Sequence, residues 1–300
     1  MENEYKLPID LINAINDQKL AIFIGAGISR HYGCSSWESL AKELISICEY
    51  KSIISKYEKE LLINDRDYKK LITIAHSLLK NRGYEKDFYK QMRYSLNHFK
   101  AKRASKPKIY KDLINLGGVF VTTNADIWIN KYFHQDTIIY KDKDFTSSTI
   151  INKHHLYKIH GCISDKKSLV FEVDEYLQRY SCHSEFTEFL KKFFNKYTVL
   201  FVGYGLGEFE ILDYVFKSKE TKKKHYFLKD YYKCESTLKN YEQEYFKKLN
   251  IEIIPYYKDL NGFGQLAIIF KEWREEIELI SYKSTMGNEL IDDALENLDE

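Results

Sequence analysis

Apolar residues along the chain fall into two rhythms. Short apolar runs stand at Leu20–Ile24, Val119–Thr122, Thr137–Tyr140, Leu156–Ile159, Leu169–Val173, Val199–Val202, Tyr226–Leu228 and Ile251–Ile254. Several are continuously apolar, which suits strands buried on both faces of a parallel sheet. Between many of them, apolar residues recur at helical spacing. Trp37–Cys48 sets Leu40, Leu44 and Ile47 on one stripe, and Glu208–Phe216 and Gly264–Ile280 behave similarly. Strands alternating with helices predict an α/β fold, a Rossmann-like, doubly wound and mostly parallel sheet.

One stretch breaks the rhythm. Between the first strand and Val119 no strand pattern occurs, but helical patterns fill Tyr68–Leu79, Phe88–Phe99 and Ile109–Leu116. A structureless loop of that length inside a domain is improbable. The expectation is one domain over residues 1–300, with a core from 1–48 and 117–280 and an inserted helical subdomain at 49–116. Residues 281–300 form an acidic tail with apolar residues at roughly helical spacing, a docking helix or a linker to further sequence.

Composition narrows the classes. A chain of 300 residues that is 44% apolar and 15% aromatic can bury a sizeable core. The net charge of +2 implies no global pull toward nucleic acid, so a nucleic-acid partner is not indicated. The five cysteines are scattered and never spaced C-x-x-C, so neither a zinc site nor a disulfide framework follows, and no metal is expected. A polar N-terminus and the lack of a long apolar run predict a cytoplasmic chain without a membrane span. No cluster of carboxylates suggests a metal-dependent nuclease.

The candidate chemistry lies at strand ends. Gly25-Ala26-Gly27 closes the first apolar run and opens a helix, a geometry that brings backbone N–H groups close to a pyrophosphate. The third glycine of a dinucleotide fingerprint is absent, with Arg30 in its place, and glycine turns are common in α/β folds, so this segment alone is weak. Three further segments end predicted strands: Thr122-Thr123-Asn124-Ala125-Asp126, His160-Gly161, and Gly203-Tyr204-Gly205-Leu206. In an open α/β sheet that edge is where ligands bind. Taken singly, Asn124 could cap a helix starting near Asp126, and His160 could be a satisfied core histidine. Trp37 reads as a packing residue at a helix start, in a position to wall the pocket.

Together the segments resemble sirtuins. Gly25-Ala26-Gly27-Ile28-Ser29 is similar to the family's GAGxS loop, "VTTNAD" to its T-Q-N-I-D, "IHG" to its catalytic His-Gly, and "GYGL" to its G-T-S-L turn, in family order. Ser35, Ser36 and Glu38 stand where protein-deacylating members have Pro, Asp and Arg, and the four-cysteine zinc module is missing. Those departures, with "VFEVDEYLQRY" and "FVGYGLGEFEIL", resemble the divergent sirtuin-like domains of bacterial antiphage defence proteins.

The resemblance implies an NAD+ glycohydrolase that splits the nicotinamide–ribose bond, with NAD as substrate and depletion of cellular NAD as the outcome. It implies His160 as general base near the ribose hydroxyls, Asn124 on the ribose or attacking water, and Asp126 on the nicotinamide carboxamide. Gly25, Ala26, Gly27 and Ser29 would cradle the phosphates, with Thr123 beside them and Gly203, Tyr204, Gly205 and Leu206 toward the adenosine half. Control of a toxic activity implies a homo-oligomer, a further domain or partner protein, or a phage-derived trigger. The competing readings are a module that binds NAD or ADP-ribose without turnover and, further off, an NAD-dependent protein deacylase.

Overall fold

A computed structural model describes residues 5–97, 108–146, 154–205, 209–218 and 223–296. Seven strands form one sheet in the order β3-β4-β2-β1-β5-β6-β7, every neighbouring pair parallel. They are β1 Leu20–Ile24, β2 Val119–Thr122, β3 Ile138–Ile139, β4 Leu156–Lys158, β5 Thr198–Val202, β6 His225–Tyr231 and β7 Ile251–Tyr257. β1 is central. The chain builds outward from it through β2 toward β3, then returns to β5 on its other side and continues to β7. The strand order therefore reverses between β2 and β5, on either side of β1, and a crevice forms there at the carboxyl ends of the strands.

Alternation along β1 explains the two layers. Ala21 and Phe23 face a core shared with α9 (Ser184–Lys196), α10 (Phe209–Lys217) and α11 (Ser236–Lys247). Leu20, Ile22 and Ile24 face the opposite core, shared with α1 (Ile9–Asn16), α7 (Ile109–Asn115) and α12 (Gln265–Glu296). All five β1 side chains are buried, as a continuously apolar run requires. The Rossmann-like, doubly wound α/β expectation holds.

A third core lies over the carboxyl edge of the sheet. After the short α2 (Ala26–Arg30), helices α3 (Trp37–Tyr50), α4 (Lys56–Ile63), α5 (Tyr68–Asn81) and α6 (Glu85–Asn97) follow. Leu40, Leu44, Leu71, Ala75, Phe88 and Met92 bury one another there, together with Ala125 beyond β2 and Ile163 beyond β4. α3 thus packs with this helical cluster, whereas α7 packs on the sheet. α12 continues through Glu296, past the expected boundary of the acidic tail at residue 281. No helix among the described residues is long and apolar enough to cross a membrane.

One predicted strand is absent. Leu169–Val173 is irregular chain up to α8 (Val173–Leu177). Its apolarity has another cause: Val170 enters the sheet-face core, while Leu169 and Phe171 enter the helical cluster. The segment plugs the seam between two cores and pairs with no strand. Its amides bond elsewhere, Val170 N–H to the His160 carbonyl at 3.2 Å and Phe171 N–H to the Glu175 carboxylate at 2.7 Å.

α5 is tied to this plug by His76, whose Nδ1 lies 2.6 Å from the Glu172 carboxylate. That hydrogen bond pushes the imidazole above its ordinary 6.5 against the opposing effect of burial. A raised native value means the pair stabilises fully below about pH 6.5, where the unfolded histidine is also protonated, and fades as pH climbs through the native value. Glu172→Gln is expected to lower the melting temperature by a few degrees at pH 6 and by much less at pH 8. An equal loss at both pH values in a thermal melt would contradict a charged His76.

Candidate functional site

The glycine turn is shaped first by a chain crossing. Gly25 N–H donates to Val202 O at 3.0 Å, and Gly27 N–H to Gly203 O at 2.7 Å, so the β1–α2 turn lies directly against the end of β5. A Cβ on Gly25 would fall 2.4 Å from the Tyr204 Cα, and one on Gly27 would fall 2.8 Å from the Gly203 Cα. Gly203 itself takes φ +59, where its own Cβ would meet Ile28 N at 2.7 Å. Both Gly25 and Gly27 amides are therefore committed to β5, and of the two glycines and Ala26 it is Ala26 that lines the cleft. Arg30, exposed, points away and lies over the Phe263 ring at 5.6 Å.

Within α2, Ser29 is the hub of a buried polar cluster. Its hydroxyl donates to Asp126 Oδ2 at 2.5 Å, accepts from Asn124 Nδ2 at 2.8 Å, and lies 2.9 Å from the Tyr110 hydroxyl. One donor and two acceptor positions are thereby used, which makes Tyr110 the donor in its contact. Burial, reinforced by the Asp126 charge, pushes the Tyr110 phenol well up, so it keeps its proton. Asn124 gives its second amide hydrogen to Gly25 O at 2.9 Å, which leaves its carbonyl oxygen as its acceptor for a ligand. Asp126 accepts a second bond, from Trp128 N–H at 2.9 Å, and retains acceptor capacity.

The β2 end is equally determined. Thr122 donates its hydroxyl to Ile24 O at 2.8 Å and accepts from Asn124 N–H at 2.9 Å, folding the loop back over β1. Bends and turns follow Asp126 in place of a helix, which removes the capping explanation for Asn124. Beneath the loop, Lys158 at the end of β4 is fully buried and donates to Asp126 O at 2.5 Å and Asn130 Oδ1 at 3.3 Å. Burial pulls its ammonium below its ordinary value. Sequence reasoning missed Lys158 and Tyr110; a lysine inside an otherwise apolar strand run is the one signal that pointed to the first.

Ala26, Ser29, Thr123, Asn124 and Asp126 line one cleft, roofed by Trp37, Leu96 and Phe171. Trp37 and Phe171 pack together with ring centroids 5.0 Å apart and planes tilted by 34°. The cavity inside is about 30 Å³, room for roughly two or three waters. The nicotinamide half of a dinucleotide is larger than this space. The substituted flap has structural duties: Ser36 caps α3 by accepting from Ser39 N–H, Ser35 N–H bonds Ser95 O at 2.8 Å, and Glu38 pairs with Lys42 on the surface.

His160 does not line this cleft. It is fully buried, with Nε2 2.7 Å from the Tyr180 hydroxyl and Nδ1 3.3 Å from that of Tyr176. Burial first, then Arg179 and Lys69, hold it well below the ordinary histidine value, so it is neutral. Gly161 beside it takes φ +79, with its absent Cβ 2.0 Å from Ser168 O. Tyr204 packs its ring on Phe23 at 4.9 Å, Gly205 borders open space, and Leu206 lies outside the described residues. Among the described residues no three His, Cys, Asp or Glu side chains gather as a metal site.

Comparison with known proteins names the arrangement. Residues 118–254, from the start of β2 into β7, match the model of a SIR2-like domain. Over that stretch the chain is similar to SIR2-like domains. The match contains the Asn124–Asp126 loop, His160 and the β5 turn, while Gly25–Ser29, directly after β1, lies outside it. The chain is also 23% identical over 222 residues to Defense-associated sirtuin 2 of Bacillus subtilis, covering 67% of this chain and 19% of that protein. The chain thus spans about a fifth of the relative's length.

The crossing at the switch point sets a test of the geometry. Gly25→Ala is expected to destabilise the fold by about 2 kcal/mol or more, since its methyl meets backbone rather than a flexible side chain. Denaturant unfolding reads this directly; a change within ~0.5 kcal/mol would contradict the contact.

Proposed function

We propose that the chain is an NAD+ glycohydrolase, releasing nicotinamide and ADP-ribose, and that it serves as a regulated defence effector that depletes cellular NAD. The observation that carries this reading is the convergence of Asn124 and Asp126 on Ser29 in a cleft at the reversal of strand order. The SIR2-like match supports NAD as the molecule recognised, and the name of the Bacillus subtilis relative supports the defence setting.

Cleavage passes through an oxocarbenium-like state with positive charge on the ribose. A carboxylate held in a water-poor site favours that charge without reorganising, and Asp126 is such a group, at 2% exposure. Its spare acceptor capacity also suits the NH₂ of the nicotinamide carboxamide. The Asn124 carbonyl is positioned to accept from a ribose hydroxyl or an attacking water. Ser29, its hydrogen-bonding capacity spent, orients both side chains. His160 is neutral and chemically able to act as a base, but it reaches a substrate only if the Tyr176 and Tyr180 contacts give way.

A closed cleft fits an effector held inactive until assembly with copies of itself, a further domain, a partner protein or a phage-derived trigger opens the roof. The same closure, with His160 engaged by two tyrosines, is what favours a second reading, a module that binds NAD or ADP-ribose without turnover.

NAD consumption by the purified chain, with and without candidate activators, separates these. Asn124→Ala and Asp126→Asn are expected to lower the rate at least about a hundredfold, as removal of one preorganised group typically does, while the melting temperature stays within a few degrees. Substantial activity in both variants would refute the proposed roles. Binding by calorimetry without turnover under every activating condition would support the second reading.

A further inference from the structure

α6 has two distinct sides. Its last turn walls the cleft: Leu96 lines it, the Leu96 carbonyl accepts from Cys34 Sγ at 2.8 Å, and the Asn97 side chain accepts from Ile127 N–H at 3.1 Å. The opposite side faces an open groove of about 840 Å³ between α6, the end of α3 and the turn around Lys166. Nothing in the proposed chemistry uses that groove.

The groove is basic and aromatic. Lys86, Lys90 and Arg93 stand at i, i+4 and i+7, so they form one stripe along the helix. All three are exposed, and among the described residues no ion pair engages them. Lys51 and Lys166 add charge from the other wall, and Asp87, bonded to Lys51 at 2.8 Å, is the single acid among the groove's lining residues. Tyr50, Tyr89 and Tyr94 interleave with these cations, Tyr50 at 84% and Tyr94 at 48% exposure.

We infer that this groove binds single-stranded nucleic acid. The stripe from Lys86 to Arg93 extends roughly 10 Å at 1.5 Å per residue, enough to meet two successive phosphates. Cations alone would suit any polyanion. The exposed tyrosine rings beside them supply the flat apolar faces on which bases stack, the combination that single-strand grooves use. An acidic peptide would leave those rings without a planar partner. The near-neutral net charge of the whole chain is no obstacle, because five cations against one acid line this groove.

Fluorescence anisotropy of a labelled twenty-nucleotide oligo(dT) with the full chain tests the inference. Wild type is expected to bind, with affinity falling steeply as salt rises. Lys86→Glu/Lys90→Glu/Arg93→Glu is expected to weaken binding more than tenfold and to flatten the log-affinity against log-salt slope by about 1.4, at ~0.7 for each of the two phosphate contacts. Tyr50→Ala is expected to weaken it at least about fivefold through lost stacking. All substituted side chains are exposed, so the melting temperature should hold, while a triple reversal at Lys233, Lys247 and Lys271 should leave binding unchanged. No binding at 50 mM salt, or equal affinity for polyphosphate of matched charge, would overturn the inference. So would equal binding by the groove variants.

Discussion

The close passage of the β1–α2 turn across the end of β5 constrains everything at the cleft. Gly27 N–H reaches Gly203 O at 2.7 Å only because neither residue carries a side chain, and Gly203 adopts a backbone conformation that L side chains rarely take. Once those chains are in contact, the direction of α2 is set, and with it the position of Ser29. Ser29 then organises Asn124 and Asp126 from β2 and Tyr110 from α7. Glycines that suggest a phosphate cradle are thus also required by packing, and the polar side chains that line the cleft come from the loop after the neighbouring strand.

The cluster so built runs against the rule that buried polar groups are few. Ser29, Asn124, Asp126 and Lys158 are each at least nine-tenths buried, among apolar strands and helices. Each is hydrogen-bonded, which offsets the desolvation cost, yet an apolar set of the same shape would satisfy stability alone. A connected polar network at the reversal point of a parallel sheet, beside two aromatic rings, has the form expected of a site where a local rule is broken for function. His160 with Tyr176 and Tyr180 forms a second such network, behind the first.

Much of this was legible in the sequence, for identifiable reasons. Continuously apolar runs marked the strands because both faces of a parallel sheet are covered, and the strand-end motifs located one rim. Leu169–Val173 misled because burial between two helical and sheet cores leaves the same apolar signature as a strand. Partners distant in sequence were invisible: Tyr110 meets Ser29 across 81 residues, and Asn124 meets Gly25 across 99. Position at a strand end placed His160 near the rim, but only the surrounding tyrosines decide whether its ring nitrogens are available. The roof is likewise a product of tertiary packing, since Trp37 and Phe171 come from segments that share no local pattern.

The central claim is that the Ser29–Asn124–Asp126 cluster receives the nicotinamide half of NAD once the roof opens. Crystallography of the chain with a carbocyclic NAD analogue, which cannot be hydrolysed, tests this most directly. The carboxamide and the nicotinamide-side ring are expected within hydrogen-bond reach of Asp126 and Asn124, with the Trp37 and Phe171 rings displaced from one another. A bound analogue that leaves those two rings in contact and touches neither side chain would contradict this placement.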